Sequence, residues 1–586
     1  MRPRSLIGRR LGGALAAVGL IALPWLLLAR AGAQPSTPVP SATPGAAVPQ
    51  TTGSPAAPAT SPLPAATGPA APTSPGQPAG EPGAPAPGET ARPLPTASPT
   101  QPPIIVDPPS AGVVLGGTAL LHVMQVLGSI TVTLADPAVA EATVDQDART
   151  ITLTGKALGT TILTVSDARG LTRDVPIRVA YPAGRVSDAA SVRLTGNPAS
   201  PLFIKEQALQ AAMKRAYLRP GATIVGNTDT IGFNTPLRVD DITTVDVPLI
   251  IQGEGFFSVT GTTRVRVENF AQPVIRPASL LVSDFPETLK ENGVLFEADL
   301  RSSQAERFLY YHYNPPGQPD RRILLKVHNP SAEPALLQTI CGSGGPGGNE
   351  MEVGHLSTQR FLVRLAQNEG SVITVAGGET ATIVDQALPA GNVVSNLLQL
   401  HEIAGAPLHL ALVAQNASDP ADGSIPTSSQ LGGDDTHARG IYKLPEFFFD
   451  YLYDAEGPDL EIPVGQIPLP NLVQGRTLAG DYGVLQSMTI RMFNYDRRHA
   501  RNIAIYANPR GGRATGTFII DRVLVQAHGM APFGLYKLRQ FSIPPFGFVR
   551  TDIVTMPEGG SSYPLHIVVA PDDGSPSPGS PDSLVY

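Results

Sequence analysis

The hydrophobic and polar residues between positions 135 and 179 alternate in short runs. In each run apolar residues recur at every second position, and Asp, Gly or Pro bounds the run. This alternation is typical of half-buried antiparallel strands. The runs cover residues 140–144, 150–154, 160–165 and 174–179. The pattern therefore predicts a small immunoglobulin-like β-sandwich over residues 104–180, with a hairpin turn at Gly170.

A second unit follows over residues 181–278 and contains one segment with helical periodicity. Residues 205–217 (KEQALQAAMKRAY) place small and apolar side chains along one face, and Pro220 and Gly221 end the pattern. Strand-like runs follow the helical segment at residues 244–252, 255–259 and 263–269. We predict a small α+β unit that is mostly strand, with a single helix packed on it.

Residues 279–572 contain two stretches that resemble each other. ILLKVHNPS resembles MTIRMFNYD, and these alternating runs end on Asn329 and Asn494, respectively. APLHLALVA and YPLHIVVAP match near the ends of the two stretches. Shorter matches lie between them, at the glycine loops 341–348 and 508–512 and at the segments 388–391 and 556–559. The order of these matches predicts an internal repeat of two β-sandwich modules.

The boundaries of the two modules follow from composition. We expect modules at residues 279–418 and 437–572, a linker at 419–436 and a disordered tail at 573–586. The matches give the first module a longer connection at residues 392–406, which is too apolar for a free loop. We expect that connection to pack as a short helix or strand.

The N-terminal region has the composition of a targeting segment followed by a spacer. Residues 1–33 combine a basic start, an apolar run and a small-residue site, which predicts a signal peptide cleaved before Gln34. Retention of the apolar run as a membrane anchor is the alternative. Residues 34–103 are almost entirely Pro, Ala, Thr, Ser and Gly, and predict a disordered, semi-rigid linker. The predicted fold class is mainly β: tandem Ig-like sandwiches and one small α+β unit after this linker.

The net charge and the cysteine content limit which partners, disulfides and metal clusters are possible. The net charge is −7 and becomes more negative once the five arginines of residues 1–33 are removed, which disfavours nucleic acid as a partner. Cys341 is the single cysteine, so neither an intramolecular disulfide nor a cysteine metal cluster can form.

One segment resembles a known family. DPAVAEATV, ITLTGKALGTTILTVSD and DVPIRV resemble the N-terminal module of bacterial pilus-formation proteins, which is related to bacterial Ig-like group 2 domains. The resemblance spans residues 107–180. It implies an envelope or surface adaptor that contributes no catalytic residues.

Several side chains invite a catalytic or binding interpretation, each beside a structural one. A metal could be held by His312, His328 and His355 if their elements converge, and a sugar could stack on Tyr310, Tyr311 and Tyr313, which could instead fill half-buried strand positions. Solvent-facing strand positions are expected for His409 and His566, and no nucleophile-elbow pattern surrounds Ser561 and Ser562. Calcium could bind to Asp240, Asp241 and Asp246, which could instead lie in turns.

No constellation among these residues predicts a catalytic, cofactor or metal site. We expect an exported, non-enzymatic surface or envelope protein with a structural, adhesive or pilus-associated role. Its expected partner is a protein or an envelope glycan, and a membrane contact requires an uncleaved signal anchor. The alternative is a secreted hydrolase or carbohydrate-processing enzyme with a cleft between the two C-terminal modules. Paired acidic groups or converging histidines in that cleft would favour the enzyme.

Overall fold

A computed structural model describes residues 102–420, 423–432, 436–473 and 475–576. The predicted signal peptide and nearly all of the predicted linker lie outside these residues. The described part is mainly β, as the sequence predicted, with two α-helices. Within it, neither helix is long and apolar enough to cross a membrane.

The first domain is a sandwich of two four-stranded sheets. One sheet has the order β1-β3-β6-β5 and the other β2-β8-β7-β4, and the alternating apolar residues of both sheets form its core. The predicted turn ends in Gly170, which has a φ of 75°. The strands are β1 (Ile105–Asp107), β2 (Ala111–Val114), β3 (Thr118–Met124), β4 (Thr131–Leu134), β5 (Ala140–Asp145), β6 (Thr150–Gly155), β7 (Gly159–Ser166) and β8 (Thr172–Ala180).

The next unit packs one helix on strands, as expected. Helix α1 covers Pro201–Arg215 and starts earlier than the predicted residue 205, because Ser200 caps it and Pro201 occupies its first turn. The other elements are β9 (Gly184–Arg185), β10 (Ala189–Thr195), β11 (Tyr217–Leu218), β12 (Thr223–Val225), a 3-10 turn (Thr228–Thr230), β13 (Ile242–Gln252) and β14 (Val259–Asn269).

The third unit adds a sandwich and a second helix. Its elements are β15 (Pro277–Ser283), β16 (Gly293–Asp299), β17 (Ala305–Asn314), β18 (Arg321–His328), β19 (Ala335–Gly347), α2 (Glu350–Ala366), β20 (Gly370–Val375), β21 (Thr380–Leu388), β22 (Asn392–Ala404), β23 (His409–Asn416) and β24 (Arg439–Tyr442). The apolar segment 392–406 is strand β22, in line with the expectation that it packs. One sheet has the order β16-β23-β18-β21.

The second sheet of this unit is continuous with the preceding unit. Its ten strands have the order β12-β13-β14-β10-β20-β19-β22-β17-β15-β24. Strand β10 joins β20 across the boundary predicted at residue 278, and β24 pairs with β15 although the sequence assigned it to the last module. Backbone hydrogen bonding therefore runs through both predicted boundaries.

The last module is a sandwich of two sheets. Their orders are β25-β27-β32-β29-β30 and β26-β33-β28-β31, around a core of its own. The strands are β25 (Glu446–Asp454), β26 (Leu460–Val464), β27 (Leu485–Phe493), β28 (Arg501–Pro509), β29 (Ala514–Ile520), β30 (Val523–Met530), β31 (Tyr536–Ile543), β32 (Phe548–Thr555) and β33 (Leu565–Pro571).

The two C-terminal sandwiches have the same strand order. Strands β15 to β23 follow one another in the same sheet positions as β25 to β33, including the parallel pairs β15–β17 and β25–β27. The strands that carry the PLH segments, β23 and β33, occupy equivalent places, as expected. Helix α2 lies between β19 and β20, where the last module has a tight turn from β29 to β30.

Other sequence matches within the repeat paired segments that follow non-equivalent strands. Asn329 follows β18, whereas Asn494 follows β27, the equivalent of β17, so these asparagines are not equivalent. Residues 389–391 follow β21, whose last residue is Leu388, but residues 556–559 follow β32, so that match was also wrong and the longer connection it implied does not exist. Alternating strands of similar composition align in several registers, and only pairing distinguishes them.

Two segments that the sequence predicted to be unstructured make defined contacts. In the predicted linker, the backbone N–H of Leu431 donates to the Val294 carbonyl at 2.7 Å. At the start of the predicted tail, the Asp573 N–H donates to the Tyr506 hydroxyl at 3.0 Å, and the buried Lys537 ammonium donates to the Ser575 carbonyl. Residues 573–576 therefore belong to the folded module.

Candidate functional site

The histidines considered for a metal site do not converge. The His312 ring is fully buried on β17, with Nε2 3.2 Å from the Ser283 hydroxyl and Nδ1 2.9 Å from the Pro286 carbonyl. Burial lowers its pKa to about 4. His328 contacts Thr380 instead, and no metal-holding group of three His, Cys, Asp or Glu residues occurs in the part of the chain described above.

The other sequence candidates have structural surroundings. The Tyr310 ring is fully buried with its hydroxyl donating to Gln386 at 2.7 Å, and Tyr311 is also buried, so these two offer no sugar platform. His409 and His566 lie on equivalent strands and pair with carboxylates on the neighbouring strand. Their contacts are His409 Nδ1 to Asp299 at 2.8 Å and His566 Nδ1 to Glu461 at 2.9 Å.

The glycine run that follows Cys341 is a packing surface for helix α2. A Cβ atom on Gly342 would lie 2.3 Å from the Phe361 nitrogen, and one on Gly344 would lie 1.9 Å from the Val353 carbonyl oxygen. The glycines therefore let the helix backbone lie directly on β19. This helix was not predicted from the sequence. Its detectable signals were the Asn349 cap and two glutamates in the first turn.

Helix α2 brings His355 into a buried polar cluster with the last module, which we call the junction network. His355 Nδ1 lies 3.0 Å from Glu558 Oε2, and Nε2 lies 3.0 Å from Gln526 Oε1. Two threonine hydroxyls donate to the same carboxylate at 2.5 and 2.6 Å. The network consists of His355, Gln526, Glu558, Ser561, Thr515 and Thr517.

The electrostatics of the junction network favour a charged pair. Burial by itself lowers the pKa of His355, but the Glu558 carboxylate and the hydrogen bonds from Glu558 and Gln526 outweigh it, so the pKa lies above its ordinary value. Both ring nitrogens face oxygen atoms, which an imidazolium satisfies by donating twice. Ser561 contacts Thr515 at 2.6 Å rather than the histidine, so the arrangement is not that of an activated serine.

The surface between the two C-terminal sandwiches is filled by apolar side chains from both. They form one buried cluster with residues from α2 and the intervening segment. The fully buried Arg307 guanidinium crosses the same surface, donating to the Pro445 carbonyl at 2.7 Å and to Glu446 at 2.9 Å. The junction network and this apolar cluster thus occupy the surface between the two C-terminal modules, where the alternative hypothesis of a secreted hydrolase or carbohydrate-processing enzyme expected a cleft. Examples of the cluster members are Leu280, Leu309, Phe361, Leu485, Ile519 and Met556.

A solvent-accessible groove lies elsewhere, beside helix α1, and we call it the α1 groove. It has a volume of about 720 Å³ and is bordered by α1, by strands β10, β19 and β20 and by edge strand β21. The groove could not be predicted from local sequence patterns, because its walls come from two units that are far apart in the chain. The polar residues in its lining are Ser191, Arg193, Gln207, Gln210, Lys214, Arg215, Arg266, Thr339, Ser371, Thr374 and Thr382.

Comparison with solved structures gives only weak similarity. A tri-modular endo-β-1,4-glucanase from Bacillus licheniformis is 12% identical with a TM-score of 0.13, over 28% of this chain and 38% of that one. The Ig1-2 module of Drosophila DLAR is 11% identical with a TM-score of 0.12, over 28% of this chain and 99% of that one. Bacteroides ovatus SGBP-B, in complex with a mixed-linkage heptasaccharide, is 12% identical with a TM-score of 0.12, over 49% of this chain and 70% of that one. This chain thus spans well under half of the glucanase, and TM-scores of this size carry no argument.

Comparison with curated proteins and with protein families gives one informative result. No curated protein matches the chain. Residues 110–180 match the family described as the pilus formation protein N terminal region. The matched residues contain strands β2 to β8 of the first domain. The resemblance predicted from the sequence of this segment is therefore confirmed, and the first sandwich is similar to the N-terminal domain of pilus formation proteins.

Proposed function

We propose that this chain is an exported, non-enzymatic protein of the cell surface or envelope with a structural, adhesive or pilus-associated role. The match of residues 110–180 to the pilus formation family supports an envelope association. The composition of residues 34–103 suits a spacer between that location and the folded part. The partner in this proposal is a protein or an envelope glycan.

The observation that carries the proposal is the way in which the two C-terminal sandwiches are joined. Interfaces between domains are usually polar and permit relative motion, unless they are large and hydrophobic. Here a buried apolar cluster, the Arg307–Glu446 ion pair and the junction network all cross between the sandwiches. Such a joint holds both modules in one orientation, which suits a protein that bears load or presents a fixed surface.

Fractionation of the producing cells tests the proposal. We expect the protein in the envelope fraction or the medium, with Gln34 as its first residue and without tryptophan emission, because Trp25 is the only tryptophan. A variant that lacks residues 104–180 should be exported but should lose its envelope association and its co-purifying partners. Recovery of the full-length, tryptophan-containing protein from the cytosol would contradict the proposal.

A further inference from the structure

The α1 groove exists because two strands of the ten-stranded sheet part. Strands β10 and β20 pair through three residues only, from Arg193↔Val372 to Thr195↔Gly370. Leu194 lies opposite Ser371, and Ser371 lies opposite Thr339, so these three side chains share one face of the sheet. On that face α1 packs over β10, while β21 lies at the edge of the facing four-stranded sheet. The groove runs between the helix and this edge.

One buried polar group that lines the groove lacks a protein partner. The Thr339 hydroxyl is buried, with the residue only 6% exposed, and it makes no hydrogen bond within the described residues. Gln207 is 9% exposed and lines the same groove. Buried hydroxyl and amide groups in folded proteins nearly always have a hydrogen-bond partner. A partnerless hydroxyl that lines an open groove therefore points to a ligand with hydrogen-bonding groups.

The charge of the groove is opposite to that of the whole chain. Its lining contains four basic residues and no carboxylate, although the chain carries a net charge of −7. Glu268 neighbours two of them, at 2.8 Å from Arg266 and 3.9 Å from Arg193. Lys214 and Arg215, in the last turn of α1, form no ion pair with any residue that the structure describes. The groove thus has an excess of positive charge.

We propose that the α1 groove binds an anionic glycan, meaning a short run of sugar rings that carry carboxylate or phosphate groups. The hydroxyl and amide side chains match sugar hydroxyls, and the basic residues match the anionic groups. The apolar Ala211, Ile373 and Ile383 in the same lining offer contacts to the carbon faces of the rings. A volume of about 720 Å³ is in the usual range for ligand sites.

This inference names a partner class for the envelope role and takes its biological setting from the proposed function. The binding experiment uses the purified chain alone, so its failure would remove the glycan site and leave the envelope location to be decided by fractionation. Likewise, a cytosolic location would contradict the envelope role without changing the measured affinity.

Calorimetric titration of the purified protein with three oligosaccharides tests the inference. The probes are tetragalacturonate for carboxylates, a ribitol-phosphate oligomer for phosphodiesters, and maltotetraose as the neutral control. At least one anionic probe should bind roughly tenfold or more tighter than maltotetraose, and its affinity should fall as salt is added. Which probe binds identifies the anion. Equal binding of maltotetraose, or no binding of either anionic probe, would overturn the proposal.

Two variants locate the binding in the groove. Lys214→Ala combined with Arg215→Ala should weaken the anionic probe roughly tenfold or more. Thr339→Val removes the partnerless hydroxyl at constant shape, so it should leave the melting temperature unchanged or raised and should still weaken binding several-fold. Arg264→Ala is the matched control, since Arg264 is exposed, pairs with Asp246 and lies outside the groove lining. Binding that survives both test variants, or that falls equally in the control, would contradict the assignment.

Discussion

The side-chain amides of Asn314 and Asn494 make the same two hydrogen bonds, each within its own sandwich. Asn314 Nδ2 donates at 3.0 Å to the carbonyl five residues ahead and at 3.0 Å to the carbonyl of Leu388, the last residue of β21. Asn494 Nδ2 donates at 2.8 Å to the carbonyl five residues ahead and at 3.2 Å to that of Ile543, the last residue of β31, and it also donates at 3.0 Å to the adjacent Pro544 carbonyl. Each amide thus ties the loop after one sheet's strand to a strand of the facing sheet.

This equivalence predicts matched effects of substitution. Asn314→Ala and Asn494→Ala should each lower the free energy of unfolding by about 1–3 kcal/mol, because each leaves buried carbonyls without a donor. Chemical denaturation of the two single variants measures this. Asn502→Ala serves as the control, because Asn502 is exposed on β28 and its side chain makes no hydrogen bond within the described residues, so it should change stability by less than about 0.5 kcal/mol. A large loss of unfolding free energy in only one of the two variants would show that the equivalent hydrogen bonds do not stabilise the two modules equally.

The junction network predicts a pH-dependent contribution to stability. The pKa of His355 is raised above its ordinary value of 6.5 in the folded protein, despite the opposing effect of burial. A raised pKa contributes stability that is fully present below the unfolded-state pKa and is lost as pH rises through the folded-state pKa. The melting-temperature difference between the parent and His355→Gln should therefore be larger at about pH 5.5 than at about pH 9.

The matched control for this pH effect is His409→Gln, which alters a half-buried histidine paired with an exposed carboxylate away from the junction. It should reduce stability by no more than about 1 kcal/mol at either pH. A destabilisation by His355→Gln that is constant across pH, or larger at high pH, would be inconsistent with a charged His355–Glu558 pair.

The backbone contact at Gly354 predicts strong sensitivity to a single methyl group. A Cβ atom at Gly354 would lie 1.7 Å from the carbonyl oxygen of Gly559, so Gly354→Ala forces α2 away from the last module. We expect a loss of about 1–3 kcal/mol or more, measured by denaturant titration. Gly232→Ala is the control, because nothing lies within 4 Å of its Cβ position and its φ is not in the left-handed region. Equal unfolding free energies for the two variants would mean that α2 can move away from the last module without loss of stability.

The shared core predicts the behaviour of a nicked chain. Residues 423–429 are largely exposed, so limited proteolysis within the described residues should cut there, as the sequence also indicated. The two fragments should nevertheless migrate together on a native gel and separate only in denaturant, because apolar side chains of both modules pack together. Spontaneous separation after the nick would contradict a rigid joint. The variant Arg307→Met provides a comparison in which the crossing ion pair is absent and the apolar contact remains.

The sequence by itself determined the local architecture. Alternation of apolar and polar residues is a property of neighbouring positions, so it predicted the mainly β class, the first sandwich, helix α1 within a few residues and the PLH strands β23 and β33. The motif in residues 107–180 was specific enough to indicate the pilus formation resemblance. The absence of a convincing catalytic pattern led to a non-enzymatic interpretation, which stays a proposal.

Tertiary structure decided which distant segments meet. Strands with the same period fit several registers, so Asn494 was matched with Asn329 instead of Asn314 until pairing fixed the order. The contact of Gly354 with Gly559 and the pair His355–Glu558 join residues about 200 positions apart, and local periodicity carries no information about such contacts. The α1 groove arises in the same way, because strands from two units part where their backbone pairing stops.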